Sequence, residues 1–304
     1  MMKFSGHETF AIREGWLHKG LKLLMKDPEL LYDEYVADWL GVGKNMSRSI
    51  RHWLEVTGLA ERETGSGRQT RLKEMELGRL IFERDPYFID IGTWWALHVN
   101  LVNAGDQVFT WSWFFNTFTH SRFERSMCIN RLMRDVENLR SRPPSENTIQ
   151  RDVACLLQSY ARDIPTENKD PEDALECPLV ELGLLSYFRT SRYYQVHQGK
   201  KEIPTHLLGY ALSMAFEEVR TGQDTVDISL REAATRKGGP GRAFVLTSES
   251  LLSLALHAEE TDPNRDIQVV GLAGDRRIRI RRMQPVDWLR NHYDMIQWRD
   301  QHAA

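Results

Sequence analysis

The first part of the chain follows a helical hydrophobic pattern. Apolar residues recur every three to four positions over residues 16–26 and 44–57, which predicts two amphipathic helices. A short helix is predicted over 34–40, followed by a glycine-containing turn, and residues 60–72 are polar around a Gly-Ser-Gly tip that is typical of a hairpin. Helix, short helix, turn, longer helix and hairpin is the order of a winged helix-turn-helix, which we predict for residues 1–84.

The middle of the chain, residues 85–204, is patterned mostly as helix. Residues 164–178 are rich in Pro, Asp and Glu and are predicted to form a long loop, and the alternating aromatic residues of 184–196 predict one or two strands. We expect a helical domain that resembles a second winged-helix unit. Its predicted helices are 91–102, 111–118, 123–139 and one that starts after the N-cap Ser145 and ends near residue 160.

The last block, residues 205–304, mixes the two patterns and is predicted to be a C-terminal α+β domain. The whole chain is therefore expected to be mainly α with small β wings, an α+β fold. The predicted helices of this block are 207–220, 227–235, 248–260 and 288–298, and its predicted strands are 267–271 and 277–281.

Composition describes an ordinary globular protein of 304 residues, 41% hydrophobic and 27% charged. The net charge of −3 argues against a large, uniformly basic surface for nucleic acid. The first residues lack the apolar core of a signal peptide, and no window reaches the roughly 18 apolar residues that a membrane span needs. Three separate cysteines without a C-x-x-C pair exclude a zinc knuckle and suit a reducing cytoplasm, where we expect the protein.

The helix predicted over 44–57 carries basic and amide side chains outside its apolar face. Asparagine and arginine can bond base edges bidentately, and lysine suits phosphates. The alternatives are a solvated helix face, in which Arg51 pairs with Glu55, or a winged helix that binds protein. The candidate DNA contacts are Lys44, Asn45, Arg48 and Arg51 on the helix, with Arg68 and Arg71 on the wing.

A second basic pattern lies in the strand predicted over 277–281. With a period of two, Arg277, Arg279 and Arg281 share one face, where three guanidinium groups could bind phosphates. The alternative is a half-buried edge strand on which the arginines prevent edge-to-edge aggregation.

Two groups of aromatic residues could offer surfaces for contact with unpaired bases. The tryptophans and phenylalanines between Trp94 and Phe118 have helical spacing, which favours packing in a core. The second group interleaves with Arg189 and Arg192 and is the better candidate for contact with nucleic acid, although packing is favoured there as well; its members are Tyr187, Phe188, Tyr193 and Tyr194.

The N-terminal run Phe4-Ser5-Gly6-His7-Glu8-Thr9-Phe10, called the signature segment below, precedes the first helix. Together with Arg13, His7 and Glu8 could form a catalytic or phosphate-binding cluster. Ala11 stands where a zinc protease motif would need histidine, so that class is excluded. The alternative is structural, with the polar side chains capping the first helix and the aromatic side chains anchoring the segment.

The signature segment, together with residues 59–84 and the run Gly239-Pro240-Gly241-Arg242-Ala243-Phe244, resembles the SspB-type family of bacterial DNA phosphorothioation proteins, a domain long described as of unknown function. The resemblance implies DNA binding and nicking while sulfur enters one strand, in a system linked to phage defence. It also implies a cysteine desulfurase, a sulfur-transferring ATP pyrophosphatase and an ATPase as partners. Nicking would call for Mg²⁺ or Mn²⁺ as cofactor.

No nuclease signature appears in the residues themselves, since there is no strong Pro-Asp…Glu-x-Lys arrangement and no His-x-His pair. The leading hypothesis is a DNA-binding component of a phosphorothioation system that nicks one strand. The alternatives are a non-enzymatic winged-helix adaptor and a transcription regulator, which would show a sharp preference for one operator.

Overall fold

The computed structural model describes residues 2–64, 70–164, 177–222, 224–272 and 275–302. Helices account for 57% of the structure and the strands form small sheets, so the α+β class is confirmed. The chain divides into two compact units. The first unit comprises residues 1–89 and 104–197, and the second unit comprises residues 90–103 and 198–304.

The described α-helices are numbered in chain order. Three short 3₁₀ segments connect some of them, at Pro28–Tyr32, Gly105–Val108 and Pro178–Leu182. No described helix is both long enough and apolar enough to cross a membrane. The helices are α1 Trp16–Lys26, α2 Val36–Leu40, α3 Lys44–Val56, α4 Glu76–Arg84, α5 Ile91–Asn103, α6 Phe109–Thr117, α7 Arg125–Leu139, α8 Glu146–Tyr160, α9 His206–Ala215, α10 Glu217–Arg220, α11 Leu230–Thr235, α12 Pro240–Ala243, α13 Ser248–Thr261 and α14 Pro285–His302.

The described strands form three sheets. Two sheets lie in the first unit, a hairpin of β1 and β2 and a sheet of order β3-β6-β5-β4, and the second unit holds an antiparallel sheet of order β7-β9-β8. The strands are β1 Ala60–Thr64, β2 Thr70–Glu74, β3 Arg122–Phe123, β4 Ala161–Ile164, β5 Leu185–Phe188, β6 Tyr193–Val196, β7 Thr225–Ser229, β8 Ile267–Leu272 and β9 Asp275–Arg281.

The N-terminal elements follow the predicted order. Helix α1 has the predicted bounds, and Asp27 ends it and caps the next turn by accepting a hydrogen bond from the amide of Glu29 at 2.9 Å. Gly41 takes the left-handed conformation that ends α2, with φ of 65°, which side chains other than glycine rarely adopt. The hairpin pairs Ala60 with Glu74 and Thr64 with Thr70, and its predicted Gly-Ser-Gly tip lies outside the described residues.

Aromatic side chains fill the core of the first unit. Trp53 of α3 and Trp111 of α6 are completely buried, and their ring centroids lie 5.4 Å apart in an edge-to-face contact worth about 1 kcal/mol beyond the buried area. The expectation that the aromatic cluster packs is confirmed, because every member is at most 8% exposed. Its members are Trp111, Trp113, Phe114, Phe115 and Phe118 in the first unit, and Trp94 and Trp95 in the second unit.

The four-stranded sheet contains a strand that the pattern did not predict. β4 follows α8 directly and pairs in parallel with β5, from Ala161 against Leu185 to Ile164 against Phe188. A strand of four residues is too short for alternation to identify it, and its partner lies more than twenty residues further along the chain. Most of the loop predicted over 164–178 lies outside the described residues.

The second unit corrects three predictions. The helix expected over 207–220 breaks at Phe216, whose extended backbone separates α9 from α10. The helix expected over 227–235 is instead β7 followed by α11, because Asp227 pairs with Arg279 across the sheet. The strand of alternating arginines, β9, is central in this sheet and therefore not an edge strand.

The Gly-Pro-Gly-Arg run forms the start of α12 and is mostly buried. A Cβ at Gly241 would collide with the backbone of Ala234, so glycine allows the close approach of α11 and α12. His98 of α5, also buried, donates from Nε2 to the carbonyl oxygen of Ala243 at 2.7 Å. This run therefore contributes to the packing of the second unit.

Burial lowers the pKa of His98 from 6.5 to about 4. Because the folded pKa lies below the unfolded value, the unfolded chain binds the extra proton and stability is lost as the pH falls from about 6.5 towards 4. We expect unfolding free energies from urea denaturation to fall in this window with a slope contribution approaching about 1.4 kcal/mol per pH unit. The variant His98→Gln should flatten the slope, whereas His257→Gln, at an exposed histidine of the same unit, should not. Equal slopes in all three proteins would contradict this origin.

Candidate functional site

The signature segment folds into two tight turns. The amide of Glu8 donates to the carbonyl of Ser5 at 3.2 Å, and that of Phe10 donates to the carbonyl of His7 at 2.8 Å. Ser5, Glu8 and Thr9 have φ values of 59°, 49° and 71°, in the left-handed region. Each such residue costs on the order of 1 kcal/mol and persists only where surrounding contacts fix it.

Those contacts meet at one carboxylate, Asp152 of α8, which is 2% exposed. Its Oδ1 accepts from the amide of Ser5 at 2.7 Å and lies 3.1 Å from Nε2 of His7. Its Oδ2 accepts from the hydroxyl of Thr110 at 3.0 Å. A buried carboxylate needs such donors, so Asp152 fastens the signature segment to α6 and α8.

Both ring nitrogens of His7 are engaged. Nδ1 accepts a hydrogen bond from the amide of Thr9 at 3.0 Å, so Nε2 carries the hydrogen and donates it to Asp152. The ring is 1% exposed and lies parallel to Trp53, with centroids 6.2 Å apart. In a catalytic His–Asp pair the nitrogen remote from the carboxylate faces the reacting group, whereas a backbone amide occupies it here. This geometry favours the structural interpretation of His7.

The other two residues of the predicted catalytic cluster point elsewhere. Glu8 lies 3.9 Å from Arg48 of α3, at a partly exposed position. Arg13 lies over the rings of Phe10 and Trp16, at 5.7 and 5.5 Å from their centroids. The described structure therefore does not bring His7, Glu8 and Arg13 together into one site.

A cleft of about 580 Å³, called the basic cleft, opens beside the signature segment and α3. Lys3, Arg48, Arg51 and Arg62 line it, with two carboxylates as partial counter-charges, so its formal charge is positive. The Glu55 carboxylate accepts a hydrogen bond from the guanidinium of Arg62 at 2.6 Å and lies 3.7 Å from the ammonium group of Lys3.

His52 forms part of the wall of the basic cleft. A Cβ at Gly6 would lie 2.5 Å from Nδ1 of His52, so the glycine of the signature segment is needed for close contact with this ring. Burial, followed by the nearby His7, Lys3 and Arg62, lowers the pKa of His52 to about 3. The ring is thus neutral near pH 7, and the positive charge of the cleft comes from its lysine and arginines.

The predicted DNA contacts on α3 fall into two groups. Lys44, Asn45 and Arg48 are exposed at the start of the helix. Arg51 is half-buried, donates to the carbonyl of Leu31 at 2.8 Å and covers the ring of Tyr32 at 4.9 Å. Its guanidinium therefore also supports the fold. The alternative expected Arg51 to pair with Glu55, but in the structure Glu55 pairs with Arg62.

The structure describes one of the two arginines predicted to contact DNA from the β1–β2 hairpin. Arg71 is partly exposed and pairs with Glu29 at 2.8 Å, and Arg68 lies outside the described residues.

The three arginines that share one face of β9, Arg277, Arg279 and Arg281, are each matched by a carboxylate. Arg279 forms a bidentate pair with Asp227, at 2.8 and 2.9 Å, and that pairing lowers the pKa of the carboxyl group. Arg277 lies 3.5 Å from Asp275, and Arg281 lies 3.3 Å from Asp266. Ile278 and Ile280 are completely buried on the opposite face, which confirms the predicted alternation. The face is cationic in composition but largely neutralised.

A family model described as "Protein of unknown function (DUF4007)" matches residues 4–293. The chain belongs to the DUF4007 family. Two solved structures, "SspB crystal structure" and "Magnesium ion-bound SspB crystal structure", are similar to this DUF4007 protein at 28% and 27% identity. Each superposes with a TM-score of 0.84 and covers 97% of this chain and 88% of the other. None of the curated proteins matches it significantly.

Because one similar structure contains magnesium, we asked whether this DUF4007 protein offers ligands for a metal ion. Magnesium prefers oxygen ligands in octahedral geometry, commonly one or two carboxylates with water and phosphate. Over the described ranges, no three or more His, Cys, Asp or Glu side chains are grouped to hold a metal. The described residues therefore do not form a ready-made metal centre.

The three cysteines are all buried and unpaired. Burial raises the pKa of Cys128 and of Cys177 to about 12, and raises that of Cys155 well above its usual value. Since the thiolate is the reactive form, these side chains are poorly suited to accept or carry sulfur.

Two residues of the site were not found from the sequence. Asp152 lies 145 positions from His7, in the middle of a helix, and nothing local marks it except a carboxylate on a mostly apolar face. The helical pattern gives His52 no special role, although its ring lies against Gly6.

We expect His7→Ala to lower the free energy of unfolding by about 2–4 kcal/mol, because Asp152 loses a buried donor and the core gains a cavity. Glu8→Ala, one position along the chain, removes only a partly exposed ion pair and should cost less than about 1 kcal/mol. Urea denaturation measures both. A His7→Ala protein as stable as the wild type would refute the structural role.

The cysteines give a second prediction. In the native protein at pH 8, a thiol reagent such as Ellman's reagent should label none of the cysteines rapidly, and in guanidinium chloride it should label all three. Rapid labelling of any native cysteine would show a reactive thiol that this fold does not explain.

Proposed function

We propose that this DUF4007 protein is the DNA-binding component of a bacterial DNA phosphorothioate modification system. In this proposal residues 1–84 act as a winged helix-turn-helix, with α3 as the recognition helix and the β1–β2 hairpin as the wing. The similarity to SspB structures over 97% of the chain supports the pathway. The observation that carries the DNA-binding proposal is the exposed, basic start of α3 beside the basic cleft.

The start of α3 has the chemistry of a recognition helix. Recognition helices contact base edges with their N-terminal residues, where Asn45 and Arg48 stand. No side chain caps this end, since Gly43 precedes it, so its first amides have no partner within the helix. Free amides and the helix dipole both favour a nearby phosphate, to which Lys44 adds charge.

The basic cleft would hold the DNA backbone next to that helix. Arg48 belongs to both surfaces, and Lys3 and Arg62, which share the single carboxylate of Glu55, add a net positive charge. Phosphate contacts of this kind position a protein on DNA without reading sequence. The local charge explains how a chain with a net charge of −3 could bind a polyanion.

The buried cysteines support a division of labour within the system. If no thiol of this protein carries sulfur, sulfur must reach the DNA from other proteins, in keeping with the cysteine desulfurase, ATP pyrophosphatase and ATPase that the resemblance implies as partners. The resemblance also implies nicking. Over the described ranges no three or more possible metal ligands are grouped, and the nitrogen of His7 remote from Asp152 accepts from the amide of Thr9.

Duplex binding tests the proposal. We expect Lys44→Ala with Arg48→Ala to weaken binding of a fluorescent duplex by roughly tenfold or more. The slope of log K against log salt should become shallower by about 2, because two phosphate contacts are lost. Fluorescence anisotropy across a salt series measures both quantities.

The matched control is Lys26→Ala with Arg134→Ala, which removes one exposed lysine and one exposed arginine from α1 and α7 of the same unit. An equal loss in the control would mean that general charge, and not the α3 surface, binds DNA. An unchanged affinity in the Lys44 and Arg48 variant would exclude α3 as the recognition helix.

A further inference from the structure

A second cleft of about 600 Å³ lies in the first unit, and we call it the tyrosine cleft. The segment from Thr9 to Arg13 lines it, whereas Phe4, Gly6 and Glu8 line the basic cleft. The N-terminal segment therefore contributes to the walls of both clefts. The other walls of the tyrosine cleft come from α7, α8 and the sheet that contains β5 and β6.

Two tyrosines give the tyrosine cleft an aromatic surface. Tyr187 and Tyr194 are directly opposite each other on β5 and β6, and their ring centroids lie 4.6 Å apart. Phe123 stacks on Tyr194 from β3, at 5.6 Å and an interplanar angle of 18°. The two tyrosine rings are half-buried and are held in place by neighbouring rings. Such supported aromatic rings can form a platform on which a planar base stacks.

Two arginines give the same cleft positive charge. The guanidinium group of Arg13 forms no hydrogen bond or ion pair with any described residue, and it lies over the rings of Phe10 and Trp16. Arg125 is exposed at the start of α7 and uses one nitrogen to donate to the carbonyl of Gln150 at 3.1 Å. Both guanidinium groups keep donors for an oxyanion, the ligand that their planar fork fits best.

The remaining polar groups suit binding rather than catalysis. Burial, and then the neighbouring Tyr187, raises the pKa of Tyr194 to about 12, so its hydroxyl keeps its proton and can donate a hydrogen bond. The carboxylate of Asp163 is paired with Arg189 at 2.6 Å. Cys177 also lines the cleft, but its raised pKa makes it a poor nucleophile.

We propose that the tyrosine cleft binds one unpaired nucleotide of DNA, with its phosphate on Arg13 and Arg125 and its base against Tyr187 and Tyr194. The proposal rests on the DNA-binding function given above. Binding sites for small ligands commonly enclose about 300–1,000 Å³, so the cleft can enclose a nucleotide but not a duplex about 20 Å wide. A base would have to leave the stack to enter.

The experiment compares a perfect duplex with the same duplex carrying a one-nucleotide bulge, both labelled for fluorescence anisotropy at one salt concentration. We expect the wild type to bind the bulged duplex at least about fivefold more tightly, the lower end of the stacking contribution of one base. Arg13→Met with Arg125→Met should abolish this preference and leave the perfect duplex bound as before. Methionine keeps the apolar stem of arginine, and thermal unfolding confirms that the variant is folded.

The matched control is Arg122→Met with Arg192→Met, two exposed arginines of β3 and the β5–β6 turn that do not line the cleft. It should keep the preference for the bulge. The proposal is overturned if the wild type shows no preference, if the Arg13 and Arg125 variant keeps it, or if the control loses it equally. Duplex binding that persists in these cases leaves the proposed function intact.

If neither DNA binds, the proposed function fails and the cleft is tested alone with deoxyadenosine monophosphate by equilibrium dialysis. Binding that Arg13→Met removes would support a nucleotide site that acts outside duplex recognition. Absence of binding would overturn the site as well.

Discussion

The buried carboxylate of Asp152 is the constraint on which the N-terminal region of this DUF4007 protein depends. It accepts hydrogen bonds from Ser5, His7 and Thr110, and so fixes a segment whose backbone visits the left-handed region at three non-glycine residues. Without those donors the carboxylate would be buried and unsatisfied, and the strained turns would lose their support. The conspicuous His-Glu pair of the signature segment thus separates into a core histidine and a partly exposed glutamate.

That anchoring explains why a structural motif can still matter for function. Because Asp152 holds the segment in place, Gly6 can lie against His52 at the basic cleft, and Arg13 can reach the tyrosine cleft. In the proposed function, the segment positions groups that would meet DNA. A rigid support for such groups limits the misplacement that weakens binding.

Charge in this protein is organised by local pairing. Carboxylates pair with Arg277, Arg279 and Arg281 on β9 and with Arg71 on β2, whereas Lys44 and Arg48 at the start of α3 have weaker counter-charges or none described. The distinction decides which basic residues are available to a polyanion, since an arginine already bonded to a carboxylate gains less from a phosphate. Counting basic residues along the chain could not make that distinction.

The sequence by itself determined the local elements: the bounds of α1, the start of α3, the N-cap Ser145 and the alternation of β9 all follow from periodicity and capping within a few residues. It also marked the exposed Lys44, Asn45 and Arg48. Only the tertiary structure decided that β9 is central, that β4 joins β5, and that Asp227 lies in a strand, since strand pairing depends on distant partners. For the same reason, the sequence did not reveal Asp152 as the partner of His7. The two residues are 145 positions apart, and only folding brings them within hydrogen-bond distance.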